Sequence, residues 1–106
     1  MQIEVTETDI KEGTIKDCKR CPIANAISKV VSDGIVVKVR YTIVDLVTVE
    51  GRRYWRKLPE LAQKFISDYD LGYPVVPFTF DLNLPEELLK CPPSSPPNSP
   101  VASKPA

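Results

Sequence analysis

Ile35-Val36-Val37-Lys38-Val39-Arg40-Tyr41-Thr42-Ile43-Val44-Asp45-Leu46-Val47-Thr48-Val49-Glu50-Gly51-Arg52-Arg53-Tyr54-Trp55-Arg56-Lys57 decides the fold. Ile35, Val37 and Val39 alternate with Val36, Lys38 and Arg40, the period of two that a half-buried strand requires. Tyr41 to Val49 is β-branched and aromatic enough for a second strand. Glu50-Gly51 reads as a hairpin turn into a third strand over Arg52–Lys57. Asp45 interrupts the apolar run, which predicts that one face of the second strand is wet at that point.

Helical patterns flank this meander. Upstream, Pro22 suits the first position of a helix, where a missing N–H costs nothing. Ile23, Ala26, Ile27, Val30 and Val31 then share one stripe, and Asp33-Gly34 predicts a stop near residue 32. Downstream, Pro59 opens a second helix with a stripe of Leu58, Leu61, Ala62, Phe65, Ile66 and Tyr69, ended by Gly72. Gln2–Thr6 alternates as a short strand, and Thr8 to Gly13 carries capping residues for one helical turn closed by Gly13. Val76, Phe78, Phe80 and Leu82 predict a last strand, with Pro77 favouring an edge position. Leu84–Lys90 has the makings of a short terminal helix.

The predicted order is β, α, β, β, β, α, β. It implies an α+β domain over residues 1–90, with an antiparallel or mixed sheet of about four to five strands packed against two helices. From Cys91 the composition changes: six of the 11 prolines and four serines fall within residues 91–106. Such a stretch buries too little apolar area to offset its ordering entropy, so a flexible, disordered tail is expected there. Its PxxP spacings, Pro93 to Pro96 and Pro97 to Pro100, suit proline-reading grooves, but so proline-rich a stretch yields them by composition alone, and the linker or solubility reading dominates.

The chain is 42% apolar and 26% charged, which suits a folded core. Fourteen basic residues balance fourteen acidic ones, which argues against a DNA-coating protein or an acidic nucleic-acid mimic. No apolar run approaches membrane-spanning length, no signal-peptide zones open the chain, and three cysteines make no disulfide framework. No membrane association and a cytoplasmic location are expected.

No reaction centre emerges. The chain has no histidine, no GxSxG elbow and no phosphate-binding glycine loop. Asp9, Asp45, Asp68 and Asp70 show no pairing that demands catalysis. A non-enzyme without catalytic residues, cofactor or metal is expected.

Two motifs nevertheless bear on chemistry. Between Lys38 and Lys57 six cations (Lys38, Arg40, Arg52, Arg53, Arg56, Lys57) face only two acids. On a strand Arg52, Tyr54 and Arg56 share one face, and Arg53, Trp55 and Lys57 the other. An exposed aromatic between cations can stack a base and neutralise a phosphate; the plainer reading packs one ring into the core and solvates the arginines. Cys18-Lys19-Arg20-Cys21 is a CxxC at a helix start, where dipole and cations favour a thiolate. A loop rather than a strand precedes it, and a zinc site would need Cys91 and a carboxylate. The plainer reading has Cys21 capping the helix and Cys18 as an ordinary thiol.

Several segments in order, Ile3 to Gly13, Cys18 to Ile27, Leu58 to Ala62, Phe65 to Asp70 and Pro74 to Leu82, resemble a group of small uncharacterised bacteriophage and bacterial proteins. The pattern is a Cys-Pro-Ile-Ala-x-Ala helix start, here Cys21 to Ala26, followed by a PFxFxL strand, here Pro77 to Leu82. The resemblance implies action inside the bacterial host cytosol and carries over no activity or site residue. It favours a non-enzymatic interaction protein that modulates or inhibits a host protein, such as a defence protein, with homo-oligomerisation open. The alternatives are a module binding a nucleotide or single-stranded nucleic acid through residues 52–57, and a thiol or zinc site at Cys18 and Cys21.

Overall fold

The computed structural model describes residues 1–90; residues 91–106, with Cys91 and the expected tail, lie outside the described residues. The elements are β1 (Gln2–Val5), α1 (Glu7–Glu12), α2 (Pro22–Ser28), β2 (Val36–Val39), β3 (Ile43–Val47), β4 (Arg53–Lys57), α3 (Glu60–Asp70) and β5 (Phe78–Asp81), followed by a 3-10 turn at Glu86–Leu88. The α+β class and the strand order are those expected, and the turn after β1 has grown into helix α1.

The strands divide between two antiparallel sheets rather than joining in one. β2, β3 and β4 form the meander, while β1 pairs with β5, Ile3 opposite Phe80 and Val5 opposite Phe78. The reason lies in α2. Pro22, Ile23, Ala24, Ala26 and Ile27 are all buried on it, so it needs cover on several sides. It packs on both β1 and β2, and so separates the strands that one sheet would have joined. Ile3, Ile23, Ile27 and Leu46 lie fully buried in the resulting core, each stabilising the fold by about 1.5–3 kcal/mol.

Helix α2 ends at Ser28, not near residue 32. Ser32 N–H donates to the Leu88 carbonyl (2.8 Å), Lys90 N–H donates to the Val30 carbonyl (2.9 Å), and Val31 bridges Leu89. Val30 and Val31 are β-branched and weak in helices. Pairing with the chain's return at 88–90 therefore outcompetes another helical turn.

The cap of α1 is Thr6, not Thr8. Thr6 Oγ1 accepts from the Asp9 N–H (3.2 Å), and Asp9 Oδ2 accepts from the Thr6 N–H (2.9 Å). Gly13 follows with an ordinary φ of −72°, so no left-handed closure requires it. Space does: a Cβ there would sit 2.7 Å from Tyr69 Oη and 2.8 Å from Pro22 Cδ.

Helix α3 buries Ala62, Phe65 and Ile66 but leaves Leu61 57% exposed, one position short of the predicted stripe. Tyr69, Phe65, Phe78 and Phe80 stack in a row that joins α3 to β5. β5 starts at Phe78 rather than Val76, because Pro77 has no N–H for a ladder. Among the described residues no helix is long and apolar enough to cross a membrane.

Candidate binding face and thiol pair

The register of the meander sorts its side chains. Val37, Val39, Val44 and Leu46 point into the core, and all four are buried. Their neighbours occupy the opposite face in three cross-strand rows: Val36, Val47 and Arg53; Lys38, Asp45 and Trp55; Arg40, Ile43 and Lys57. Trp55 is 62% exposed on this outer face, with Arg53 and Lys57 on either side along β4. The outer face thus combines four cations, three aliphatic side chains, one indole and one carboxylate.

That carboxylate corrects the expectation for Asp45. It stands on the solvent side but is not wet: it is 8% exposed, and Arg40 Nε donates to its Oδ2 at 3.1 Å. Arg40, Ile43, Asp45, Arg53 and Trp55 line a shallow open depression with Asp45 among its walls. The single acid holds one cation in place and leaves the face net positive.

The hexad 52–57 is therefore split. Tyr54 is half-buried against the core, and its hydroxyl donates to Glu87 Oε2 (2.8 Å). Arg56 Nε donates to the Asn83 carbonyl (2.7 Å) and Nη1 to the Trp55 carbonyl (2.8 Å). Arg52 Nη1 lies 3.9 Å from Glu87 Oε2. Arg52, Tyr54 and Arg56 thus tie β4 to residues 83–87. Of the predicted set, Lys38, Arg40, Arg53, Trp55 and Lys57 come together on the outer face.

Sequence reasoning missed Asp45 as the centre of that face, together with Val36, Val47 and Ile43. The signal was available in strand alternation. Once Val37 and Leu46 are opposed, every second residue of all three strands is fixed to the other side.

The second candidate lies at the start of α2. Cys21 is its N-cap, buried, with Sγ accepting from the Ala24 N–H at 3.4 Å. Burial pushes its thiol above the ordinary range, against the smaller effect of the Ala24 and Ile23 amides. Cys18 is exposed, and its carbonyl accepts from the Val39 N–H at 2.7 Å, which fixes the loop to the edge of β2. Among the described residues, no group of three His, Cys, Asp or Glu side chains is placed to hold a metal ion. No known protein family, curated protein or solved structure matches the chain.

Proposed function

We propose that the protein is a non-enzymatic binding protein and that the outer face of the β2–β3–β4 sheet docks on an acidic patch of another protein. The observation that carries this is Trp55, 62% exposed midway along the edge strand β4 and held between Arg53 and Lys57. An indole on a solvent face forfeits burial energy in the isolated chain, and tryptophan and arginine dominate the energetic centres of protein interfaces. Val36, Ile43 and Val47 supply apolar area around it, while Lys38, Arg40, Arg53 and Lys57 select for negative charge. The partner in this reading is a host-cell protein, bound so as to modulate or inhibit it.

The test is affinity capture from bacterial extract with wild type and with the double variant Arg53→Ala/Trp55→Ala, checked by native mass measurement. An acidic protein retained by wild type, released by moderate salt and lost from the variant is the expected result. Equal retention by both proteins would sink this assignment of the surface.

A second reading has the same face hold a nucleotide or a single-stranded nucleic acid, with a base on Trp55 and phosphates on Arg53 and Lys57. The exposed indole between two cations favours it. Titration of the single tryptophan's fluorescence with mono-, cyclic and oligonucleotides separates the readings; an unchanged emission removes this one.

A further inference from the structure

Cys18 and Cys21 open onto one cavity of about 360 Å3, whose lining shares only Arg40 with the depression on the sheet's outer face. Val39 and Ile66 supply apolar wall, and Lys16, Asp17, Arg40 and Asp70 add two charges of each sign. The volume lies within the range of small-molecule sites, about 300–1,000 Å3. The two sulfurs differ in access: Cys18 is exposed, Cys21 is 5% exposed. The loop between α1 and α2 also carries an uncommon backbone. Lys16 has φ +61°, the left-handed region that lysine rarely enters, and its N–H donates to Asp70 Oδ1 at 3.0 Å. Asp17 in turn accepts from the Lys19 N–H, so this wall of the cavity is held by its own carboxylates.

The geometry points to Cys18 and Cys21 as a thiol–disulfide exchange pair, with the cavity seating a low-molecular-weight peptide disulfide. A zwitterionic peptide of that kind offers carboxylates to Lys16 and Arg40 and an ammonium to Asp17 or Asp70. Exposure assigns the roles. The Cys18 sulfur, as thiolate, attacks one sulfur of the incoming disulfide; the S–S bond breaks, and the departing thiolate takes up the proton that Cys18 released. Cys21 then loses its proton and attacks the Cys18 sulfur. That forms the Cys18–Cys21 disulfide and expels the second peptide thiol, which leaves with that proton. Two protein thiols are oxidised by two electrons, and one peptide disulfide is reduced to two thiols. Burial holds the Cys21 proton, so the second step is the slower one near neutral pH and quickens as the pH rises.

The experiment uses the full chain with Cys91→Ser, which removes the third cysteine. Incubation with glutathione disulfide, acid quenching and peptide mapping should first show one glutathionyl adduct on Cys18. The adduct should then disappear into an internal disulfide as free glutathione is released. Adding Cys21→Ser should trap the Cys18 adduct. Mapping the Cys91→Ser protein itself gives the same answer should that variant fold poorly. An adduct first on Cys21, or a Cys18 adduct that never resolves across the alkaline range, would overturn the pair. The seat is tested by Lys16→Asn, since asparagine tolerates the left-handed backbone. Exchange with glutathione disulfide should slow several-fold, while exchange with uncharged hydroxyethyl disulfide keeps its rate. Equal effects on both disulfides would overturn the seat.

Discussion

Arg40 reaches Asp45 through a 3.1 Å hydrogen bond on the same sheet face that exposes Trp55. The pair is asymmetric: the guanidinium side chain is 58% exposed and the carboxylate side chain 11%. Removing the cation strands a nearly buried anion, whereas removing the anion leaves a cation that water can reach. Arg40→Ala should therefore destabilise the fold by about 1–2 kcal/mol. Asp45→Asn, which keeps the shape and loses the charge, should cost less. Urea midpoints of the two variants check this, and a reversed order would contradict the burial argument.

Gly13→Ala should destabilise by about 1–3 kcal/mol through overpacking, since its Cβ would stand 2.7 Å from Tyr69 Oη and 2.8 Å from Pro22 Cδ. Tyr69→Phe removes the hydroxyl but not the proline ring. The double variant should recover only part of the loss, and the thermal midpoints of the single and double variants measure how much.

Asp9 provides a pH signature. Burial pushes its carboxyl up, but the Lys29 ammonium at 2.8 Å and the Thr6 amide and hydroxyl outweigh it and hold the carboxyl below its ordinary value of 3.8. A folded value below the unfolded one means stability fully present above 3.8, lost as pH falls through the folded value. Asp9→Asn should flatten that acid limb of the urea midpoint, and Lys29→Ala should move the Asp9 carboxyl upward in an NMR titration.

The two sides of β4 should respond unequally. Trp55→Ala and Lys57→Ala, on the outer face, should change stability by no more than about 0.5 kcal/mol. Arg56→Ala frees the Asn83 carbonyl from its 2.7 Å bond and should cost about 1 kcal/mol. Chemical denaturation of the three variants provides the comparison.

The meander and the Pro59 helix were legible because their signals are local: alternation, a Gly51 turn at φ +93°, and apolar spacing. What the sequence hid was long-range. Nothing near Val30 indicates that Leu88 and Lys90 return to claim its neighbourhood, so α2 looked longer than it is. Nothing near Gly13 shows Tyr69 overhead. The split into two sheets turns on α2 touching both β1 and β2, a packing fact with no local mark. For the candidate site, strand alternation already divides residues 52–57 into two faces, and only the packing of the sheet shows which half is supporting and which is exposed.

Pairing of β1 with β5 sets a timetable for synthesis. Met1 meets Leu82 across 81 positions of chain, so a ribosome that has reached Lys57 has produced the whole meander but no mate for the first strand. Until Phe78–Asp81 emerge, Ile3 and Val5 have no finished core to enter, and both edges of their strand stay open. The growing chain is most vulnerable to stray pairing during that interval.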